Sequence, residues 1–123
     1  IPVISTIGYD EKGNCYNINA DTVAAAVAGK LKAEALISMT DVAGLLRDKD
    51  DEASLIHRVY ISDVPALIAD GIISGGMIPK IDSMTQAIRE GVKRAFIIDG
   101  RDPHSILMEM LTDEGMGTMF RSR

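Results

Sequence analysis

Residues 34–44 read EALISMTDVAG, an apolar run followed by a polar loop that ends in glycine. An apolar run of this length is typical of a buried strand. The small-residue stretch VAAAVAGKLKA at 23–33 precedes it with a helical pattern, and a second helical pattern at 80–90 leads to another apolar strand at 95–98. Strands that alternate with helices predict a layered α/β domain with a mostly parallel sheet.

The flanking segments extend this pattern to both ends of the chain. Residues 1–9 (IPVISTIGY) and 15–18 (CYNI) are rich in strand-forming residues with turn residues between them, which predicts a hairpin. One further helix is expected after Asp63, and Pro103 opens the last helix. Thr118, Met119 and Phe120 lie near the end of the chain and are predicted to form an edge strand. No internal repeat or linker interrupts the sequence, so a single domain is expected.

The composition excludes several classes of partner. The chain has 123 residues, of which 46% are hydrophobic, and its net charge of −5 disfavours binding to nucleic acid or to an anionic membrane surface. No apolar run approaches the roughly 18 residues that a membrane helix needs. Cys15 is the only cysteine, so no internal disulfide can form and a cytoplasmic location is expected. Because the chain starts at Ile1 within a strand-like pattern, we expect it to be part of a longer protein.

Two loops are candidates for ligand binding, because ligands of open α/β sheets bind beyond the carboxyl ends of strands. The first is TDVAG at 40–44, whose small residues allow close approach of the backbone. The same residues also suit an ordinary turn. The second is GGMIPK at 75–80, where Lys80 enters a helix and can deliver a positive charge to a phosphate. The alternative is a flexible turn followed by a solvated lysine.

Asn17 and Asp21 lie four residues apart at the junction before the first helix. Either Asp21 or Asn19 suits the N-cap of that helix. His57 and His104 have no partners at metal-ligand spacing, so no metal site is predicted. The sequence shows no nucleophile–base pair and no carboxylate dyad, which favours chemistry by positioning and electrostatics, such as phosphoryl transfer.

Four motifs together resemble the carboxyl-terminal half of the N-acetylglutamate kinases, a branch of the amino acid kinase family. They are NINADT at 17–22, TDVAGLL at 40–46, IISGGMIPK at 72–80 and EGMGTM at 114–119. The resemblance covers essentially the whole chain. It implies a three-layer αβα sandwich and transfer of the γ-phosphate of MgATP to the side-chain carboxylate of N-acetyl-L-glutamate, a step of arginine biosynthesis.

The resemblance also implies a role for each matched residue. Lys80 would stabilise the charge on the transferred phosphoryl group, Asp21 would orient the catalytic lysines, and Asn17 would bind the acyl-amino acid. The nucleotide, ATP or ADP, would be bound by two segments of the chain: Asp41, Val42, Ala43, Gly44, Leu45 and Leu46 in one, and Ile72, Ile73 and Ser74 in the other.

The family's amino-terminal half carries a glycine-rich phosphate loop, a second lysine, most of the acetylglutamate pocket and the main dimer contact. None of these has a counterpart here, so the chain alone is expected to be nearly inactive, and the full-length protein is expected to be a homo-oligomer. In members that arginine inhibits, a glutamate and a glycine of the arginine site match Glu109 and Gly115. Phe96 replaces that site's histidine, which puts inhibition by arginine in question.

Two alternatives stay open. In the first, the chain belongs to a family member that phosphorylates aspartate, glutamate, carbamate or a nucleoside monophosphate, since the missing half determines most of the specificity. In the second, it is a non-catalytic, amino-acid-sensing domain of the same fold. The presence of both Lys80 and Asp21 argues against a sensor, which needs no lysine that faces a phosphate.

Overall fold

A computed structural model describes residues 1–113 and 115–123 of the chain. Its elements in chain order are β1 (Ile7–Tyr9), β2 (Cys15–Asn17), α1 (Ala20–Leu31), β3 (Ala35–Thr40), β4 (Arg58–Tyr60), α2 (Val64–Ala69), α3 (Met77–Arg89), β5 (Arg94–Asp99), α4 (Ser105–Leu111) and β6 (Thr118–Arg121). A short 3₁₀ turn, Glu52–Ser54, lies between β3 and β4. This alternation of strands and helices confirms the predicted α/β class.

The central sheet has four strands in the order β3-β5-β6-β4. β3 pairs with β5 and β4 pairs with β6 in parallel, while β5 and β6 are antiparallel, so two of the three pairings are parallel, as predicted. The prediction that residues 118–120 form an edge strand is wrong. β6 lies inside the sheet because Phe120 pairs with Ala95 of β5 and Val59 of β4, and its ring is fully buried in the core.

Helices cover both faces of the sheet. α2 and α3 pack on one face, where Ile81, Met84 and Ile88 of α3 meet the β5 residues Ala95 and Ile97 in the main core. α1 packs beside α3 through a second cluster of small residues. α4 contacts β5 from the other face, which gives three layers. Within the described part of the chain, no helix is long and apolar enough to cross a membrane.

The predicted hairpin is present but shorter than its sequence pattern. β1 and β2 pair antiparallel from Ile7↔Asn17 to Tyr9↔Cys15, whereas residues 1–6 form no strand. The Asp10 carboxylate closes the turn by accepting hydrogen bonds from the Asn14 backbone and side chain. Residues 1–6 belong to neither sheet, so their β-branched residues do not form the strand that the sequence pattern predicted.

β5 ends at an ion pair, which lies at the same end of the parallel strands β3 and β5 as the loop that follows β3. Asp99 is buried, and its carboxylate accepts hydrogen bonds from the backbone and guanidinium of Arg101 at 2.6–3.2 Å. The side-chain hydrogen bond from Arg101 is the main reason why the pKa of Asp99 falls from 3.8 to about 2. Because the folded-state pKa is depressed, the ionised Asp99 stabilises the fold above about pH 4, and this contribution is lost as the pH falls toward 2.

We therefore expect the Asp99→Asn variant to lose less stability than the unaltered chain between pH 4 and pH 2. Denaturant titrations at several pH values in this range would measure the difference. Asp63→Asn is the matched control, because Asp63 is more exposed and its contact with Arg123 is longer, at 3.5 Å. Equal pH slopes for Asp99→Asn and the unaltered chain would contradict the assignment.

Candidate functional site

A lysine–aspartate pair joins the first turns of α1 and α3. The Nζ of Lys80 lies 2.7 Å from the Asp21 carboxylate and donates a second hydrogen bond, of 3.2 Å, to the Ser38 hydroxyl of β3. The side chains of Lys80 and Asp21 are 18% and 32% exposed, so the pair is held firmly but stays open to solvent. An ammonium group with three donors keeps one available for a ligand here.

The local sequence explains why both side chains reach this point. Asn19 is the N-cap of α1, and its side chain accepts hydrogen bonds from the backbone N–H groups of Asp21 and Thr22. Asn19 therefore does the capping, which leaves the Asp21 carboxylate for Lys80. α3 begins at Met77, three residues earlier than predicted, because Pro79 is tolerated in the first turn of a helix. Lys80 consequently lies in the first turn of α3.

A cavity of about 400 Å³ lies beyond the carboxyl end of β3, and Met77 in the first turn of α3 is one of the residues that line it. The residues that line it come from three segments of the chain, namely Val42, Ala43, Gly44, Leu45 and Leu46 in one, Lys49 in the next, and Ile72, Ser74 and Met77 in the third. Seven of these were predicted from the sequence. The structure thus brings the two predicted nucleotide segments together around one space.

The loop after β3 is anchored on β6. The backbone N–H of Leu45 donates a 2.8 Å hydrogen bond to the Thr118 hydroxyl, which is fully buried. Gly44 has a φ of +153°, and a Cβ at this position would lie 2.5 Å from the same hydroxyl. Glycine is therefore required where the loop crosses β6, and the cavity wall is held against the centre of the sheet.

α3 connects the cavity to the ion pair. Met77 lines the cavity, and Lys80 lies three residues later on the same side of the helix. Of the other predicted residues, Ile73 has its side chain in the main core and Asp41 is exposed beside the cavity, so neither side chain lines it. Asn17 is exposed on β2, two residues before the cap of α1.

Lys49 also lines the cavity, and it was not predicted from the sequence because it lies in the charged run RDKDDE at 47–52. Its Nζ donates a 3.1 Å hydrogen bond to the Ser74 hydroxyl, which connects two walls of the cavity. Such a run is usually a solvated loop. Only the contact with Ser74, which is 25 residues away, reveals that Lys49 faces the cavity.

We expect Lys49→Met to weaken binding of MgADP to the chain several-fold, because the variant removes the cation nearest this cavity wall. Calorimetric titration at low and high salt would measure the effect, which should shrink as salt screens the charge. Lys30→Met is the matched control, since Lys30 is exposed in the last turn of α1. Equal affinities for the two variants would show that Lys49 does not face the ligand.

The two predicted effector residues lie on the α4 face of the sheet. Glu109 and Gly115 both line a cavity of about 870 Å³ there. The Oε2 atom of Glu109 accepts hydrogen bonds from the backbone N–H groups of Met116 and Gly117, at 2.7 and 3.0 Å. Glu114, the first residue of the last motif, lies outside the described residues. The arginine-binding role of Glu109 and Gly115 stays a prediction.

These features define an open α/β domain with a cavity and a lysine–aspartate pair at the carboxyl end of a parallel strand. The family model described as "Amino acid kinase family" matches residues 1–99. The chain belongs to this family. The family acts on nucleotides as kinases do, so a nucleotide substrate is implied.

Curated relatives match the chain over almost its whole length. It is 61% identical over 120 residues to the acetylglutamate kinase of Brachyspira hyodysenteriae, which covers 98% of the chain and 42% of the relative. It is 56% identical to that of Heliobacterium modesticaldum, with 97% and 40% covered. The chain thus spans about two fifths of the length of these relatives.

One solved structure has the same arrangement of elements. N-acetylglutamate synthase from Neisseria gonorrhoeae, in a crystal structure with coenzyme A and L-arginine, superposes with a TM-score of 0.86 at 26% identity. The match covers 98% of this chain and 27% of the synthase. The similarity supports the three-layer fold.

Proposed function

We propose that this chain is the nucleotide-binding part of an acetylglutamate kinase. The observation that carries the proposal is that α3 places Met77 in the 400 Å³ cavity and Lys80 in the pair with Asp21. A nucleotide base in the apolar part of the cavity would leave its phosphates to extend toward Lys80. The acetylglutamate kinase relatives at 61% and 56% identity support the same assignment.

In the proposed reaction, a side-chain carboxylate oxygen of N-acetyl-L-glutamate attacks the γ-phosphorus of ATP. A new P–O bond forms as the bond between the γ-phosphorus and the β,γ-bridging oxygen breaks, and ADP leaves. Lys80 would donate hydrogen bonds to the phosphoryl oxygens, where its charge counts most in the transition state. Asp21 and Ser38 hold the ammonium in place, and Asp21 takes up no proton. Asn17 would contact the acyl-amino acid.

Magnesium would enter the site with the nucleotide, as MgATP. Mg²⁺ in nucleotide sites is commonly held by phosphate oxygens with one or two carboxylates and water. Across residues 1–113 and 115–123, no group of three or more His, Cys, Asp or Glu side chains is placed to hold a metal ion. The exposed Asp41 carboxylate, beside the cavity, is the one that we expect to face the bound metal–phosphate group.

We further propose that the segments found in the relatives but not in this chain supply most of the acetylglutamate pocket and a second cation. On this view the chain alone turns over at a rate lowered by about 10²–10³-fold or more, because loss of one charge-stabilising donor has that effect. A cytoplasmic homo-oligomer is the expected state of the complete enzyme.

A chimera tests the proposed activity. In it, this chain replaces the matching residues of the Brachyspira hyodysenteriae relative, to which it is 61% identical. We expect the chimera to phosphorylate N-acetyl-L-glutamate with MgATP, and free glutamate, aspartate and carbamate far more slowly. A preference for one of the latter would place the chain in another branch of the family. A folded chimera that binds MgADP without turnover would favour a sensing domain.

A further inference from the structure

A cavity of about 570 Å³ lies between α1, α2 and α3, on the opposite face of the sheet from α4. Its apolar wall is formed by Ile61, Val64, Pro65 and Ile68, which belong to α2 and to the segment before it. Most of its polar side chains come from α3. Largely apolar walls with a few polar groups that fix the orientation of a ligand are typical of small-molecule sites.

The hydroxyl of Thr85 is a buried polar group without a partner in the wall of this cavity. Thr85 lines the cavity and is 7% exposed, and its hydroxyl makes no hydrogen bond within the described part of the chain. The hydroxyl of Ser83, by contrast, donates a 3.0 Å hydrogen bond to the carbonyl of Pro79 one turn earlier. A buried hydroxyl without a partner costs stability. Threonine in a helix adopts two χ1 rotamers, so this hydroxyl can turn toward a ligand in the cavity and gain a partner there.

A carboxylate and a guanidinium flank Thr85 on the same side of α3. Asp82 lies three residues before Thr85 and Arg89 four residues after it, and all three line the cavity. Neither Asp82 nor Arg89 forms an ion pair with a residue that the structure describes. Their Cα atoms are roughly 10 Å apart along the helix, and a long side chain leans toward the helix N-terminus, which brings the Arg89 guanidinium closer to Asp82. The cavity therefore offers one negative and one positive charge with a hydroxyl between them.

Glu90, the other charged residue of the lining, is engaged on a different side of α3. Its carboxylate accepts a 2.7 Å hydrogen bond from the Gln86 side chain. The Oε2 atom of Glu90 lies against α1, where a Cβ at Gly29 would strike it. Ala87 packs against α1 on the same side. Glu90 therefore does not disturb the balance of the two charges beside Thr85.

We propose that this cavity binds a free α-amino acid with an apolar side chain. Its ammonium would pair with Asp82 and its carboxylate with Arg89, while the Thr85 hydroxyl would donate a hydrogen bond to the carboxylate. The apolar side chain would pack against Val64 and Ile68. A ligand with only a negative charge would be repelled by Asp82, and one with only a positive charge would be repelled by Arg89. A zwitterion suits both groups.

The cavity lies on a different side of α3 from the lysine–aspartate pair. Lys80 projects toward Asp21 of α1, whereas Thr85 and Arg89 lie on the side of α3 away from α1. A bound amino acid would therefore not contact the reacting groups. The inference is independent of the proposed nucleotide site, and its test needs no kinase activity.

Titration of L-leucine into the isotope-labelled chain, followed by NMR, tests the proposal. We expect saturable shifts of the backbone amides of Ile68 and Thr85, with little change at Gly44 and Gly115, which line the other two cavities described. Three analogues each lack one part of leucine: 4-methylpentanoate lacks the ammonium, 3-methylbutylamine the carboxylate, and glycine the apolar side chain. Each should bind about tenfold more weakly or worse. Absence of saturation by leucine, or an analogue that binds as tightly as leucine, would overturn the assignment.

Charge variants give the second test. Asp82→Asn and Arg89→Gln should each raise the Kd for leucine by about tenfold or more, because each removes a charge-assisted hydrogen bond. Asp82→Asn should not weaken the binding of 4-methylpentanoate, which has no ammonium. Arg94→Gln, exposed on the opposite face of the sheet, is the matched control and should change the Kd for leucine less than twofold. Equal effects of the three variants on leucine binding would refute a specific site.

Thr85→Val tests the role of the buried hydroxyl. Valine keeps the branched shape of threonine without the hydroxyl, so the variant should raise the Kd for leucine several-fold. Its melting temperature should equal or exceed that of the unaltered chain, because the variant removes a buried polar group that has no partner. Either a clearly lower melting temperature or an unchanged Kd for leucine would contradict this role of Thr85.

Discussion

Replacement of Lys80 by methionine is expected to lower the kcat of the chimera by about 10²–10³-fold, while the affinity for MgADP changes only a few-fold. The ammonium of Lys80 is fixed by Asp21 and Ser38 at 2.7 and 3.2 Å, so it is held in advance at one point, three residues along α3 from Met77 of the proposed nucleotide cavity. A donor fixed in this way stabilises charge that develops only in the transition state. Loss of this donor therefore lowers kcat by a much larger factor than it lowers the affinity for MgADP.

Lys93→Met is the matched control for this variant, because Lys93 pairs with Glu34 at the opposite end of the strands and is largely exposed. The control should retain the turnover of the unaltered chimera within about twofold. Parallel losses of kcat and of MgADP affinity in Lys80→Met would mean that Lys80 serves ground-state binding. An unchanged kcat would remove Lys80 from the mechanism.

Replacement of Gly117 by alanine is expected to destabilise the chain more than alanine at any other of its glycines, because the added Cβ would make the shortest contact there. A Cβ at this position would lie 2.1 Å from the Ile97 carbonyl oxygen and 2.9 Å from an Ile98 methyl carbon. Both belong to the buried strand β5, which cannot move away without disturbing the core on either face. Overpacking of this kind costs about 1–3 kcal/mol and occasionally more.

A loss of about 2–3 kcal/mol in the free energy of unfolding would lower the melting temperature by roughly 10 °C for a chain of this length. Gly76→Ala is the matched control, because a Cβ there meets nothing within 4 Å and its φ of −64° suits alanine. Thermal unfolding followed by circular dichroism would compare the two variants. A Gly117→Ala variant as stable as Gly76→Ala would show that β5 and the loop before β6 are not packed as described.

The sequence predicted the elements with strong local signals. α3 carries its apolar residues at helical spacing, and β5 is a short apolar run, so both were found with errors of a few residues at their ends. Hydrogen bonds from the backbone N–H groups of Asp21 and Thr22 identify Asn19 as the N-cap of α1, for which the sequence also allowed Asp21. Asp21 instead contacts Lys80. That contact joins residues 59 positions apart, which no local pattern can reveal.

The sequence predictions were wrong or incomplete where contacts between residues far apart in the chain determine the structure. β4 has three residues, RVY, and its apolar residue Val59 is buried only because β6 lies beside it. β6 looked like an edge strand because it is short and close to the end of the chain, yet it bridges β5 and β4. Lys49 was hidden in a run of charges. In each case the partner is far away in the sequence.

The most direct test of the central proposal is a calorimetric titration of MgADP into this chain and into Ala43→Leu, which places a larger side chain in the proposed nucleotide cavity. Ala26→Leu, the same change in a different cavity between α1 and α3, is the control. We predict saturable binding by the unaltered chain and by Ala26→Leu, and binding at least tenfold weaker by Ala43→Leu. Absence of saturable binding by the folded chain, or equal affinity in all three proteins, would contradict the account.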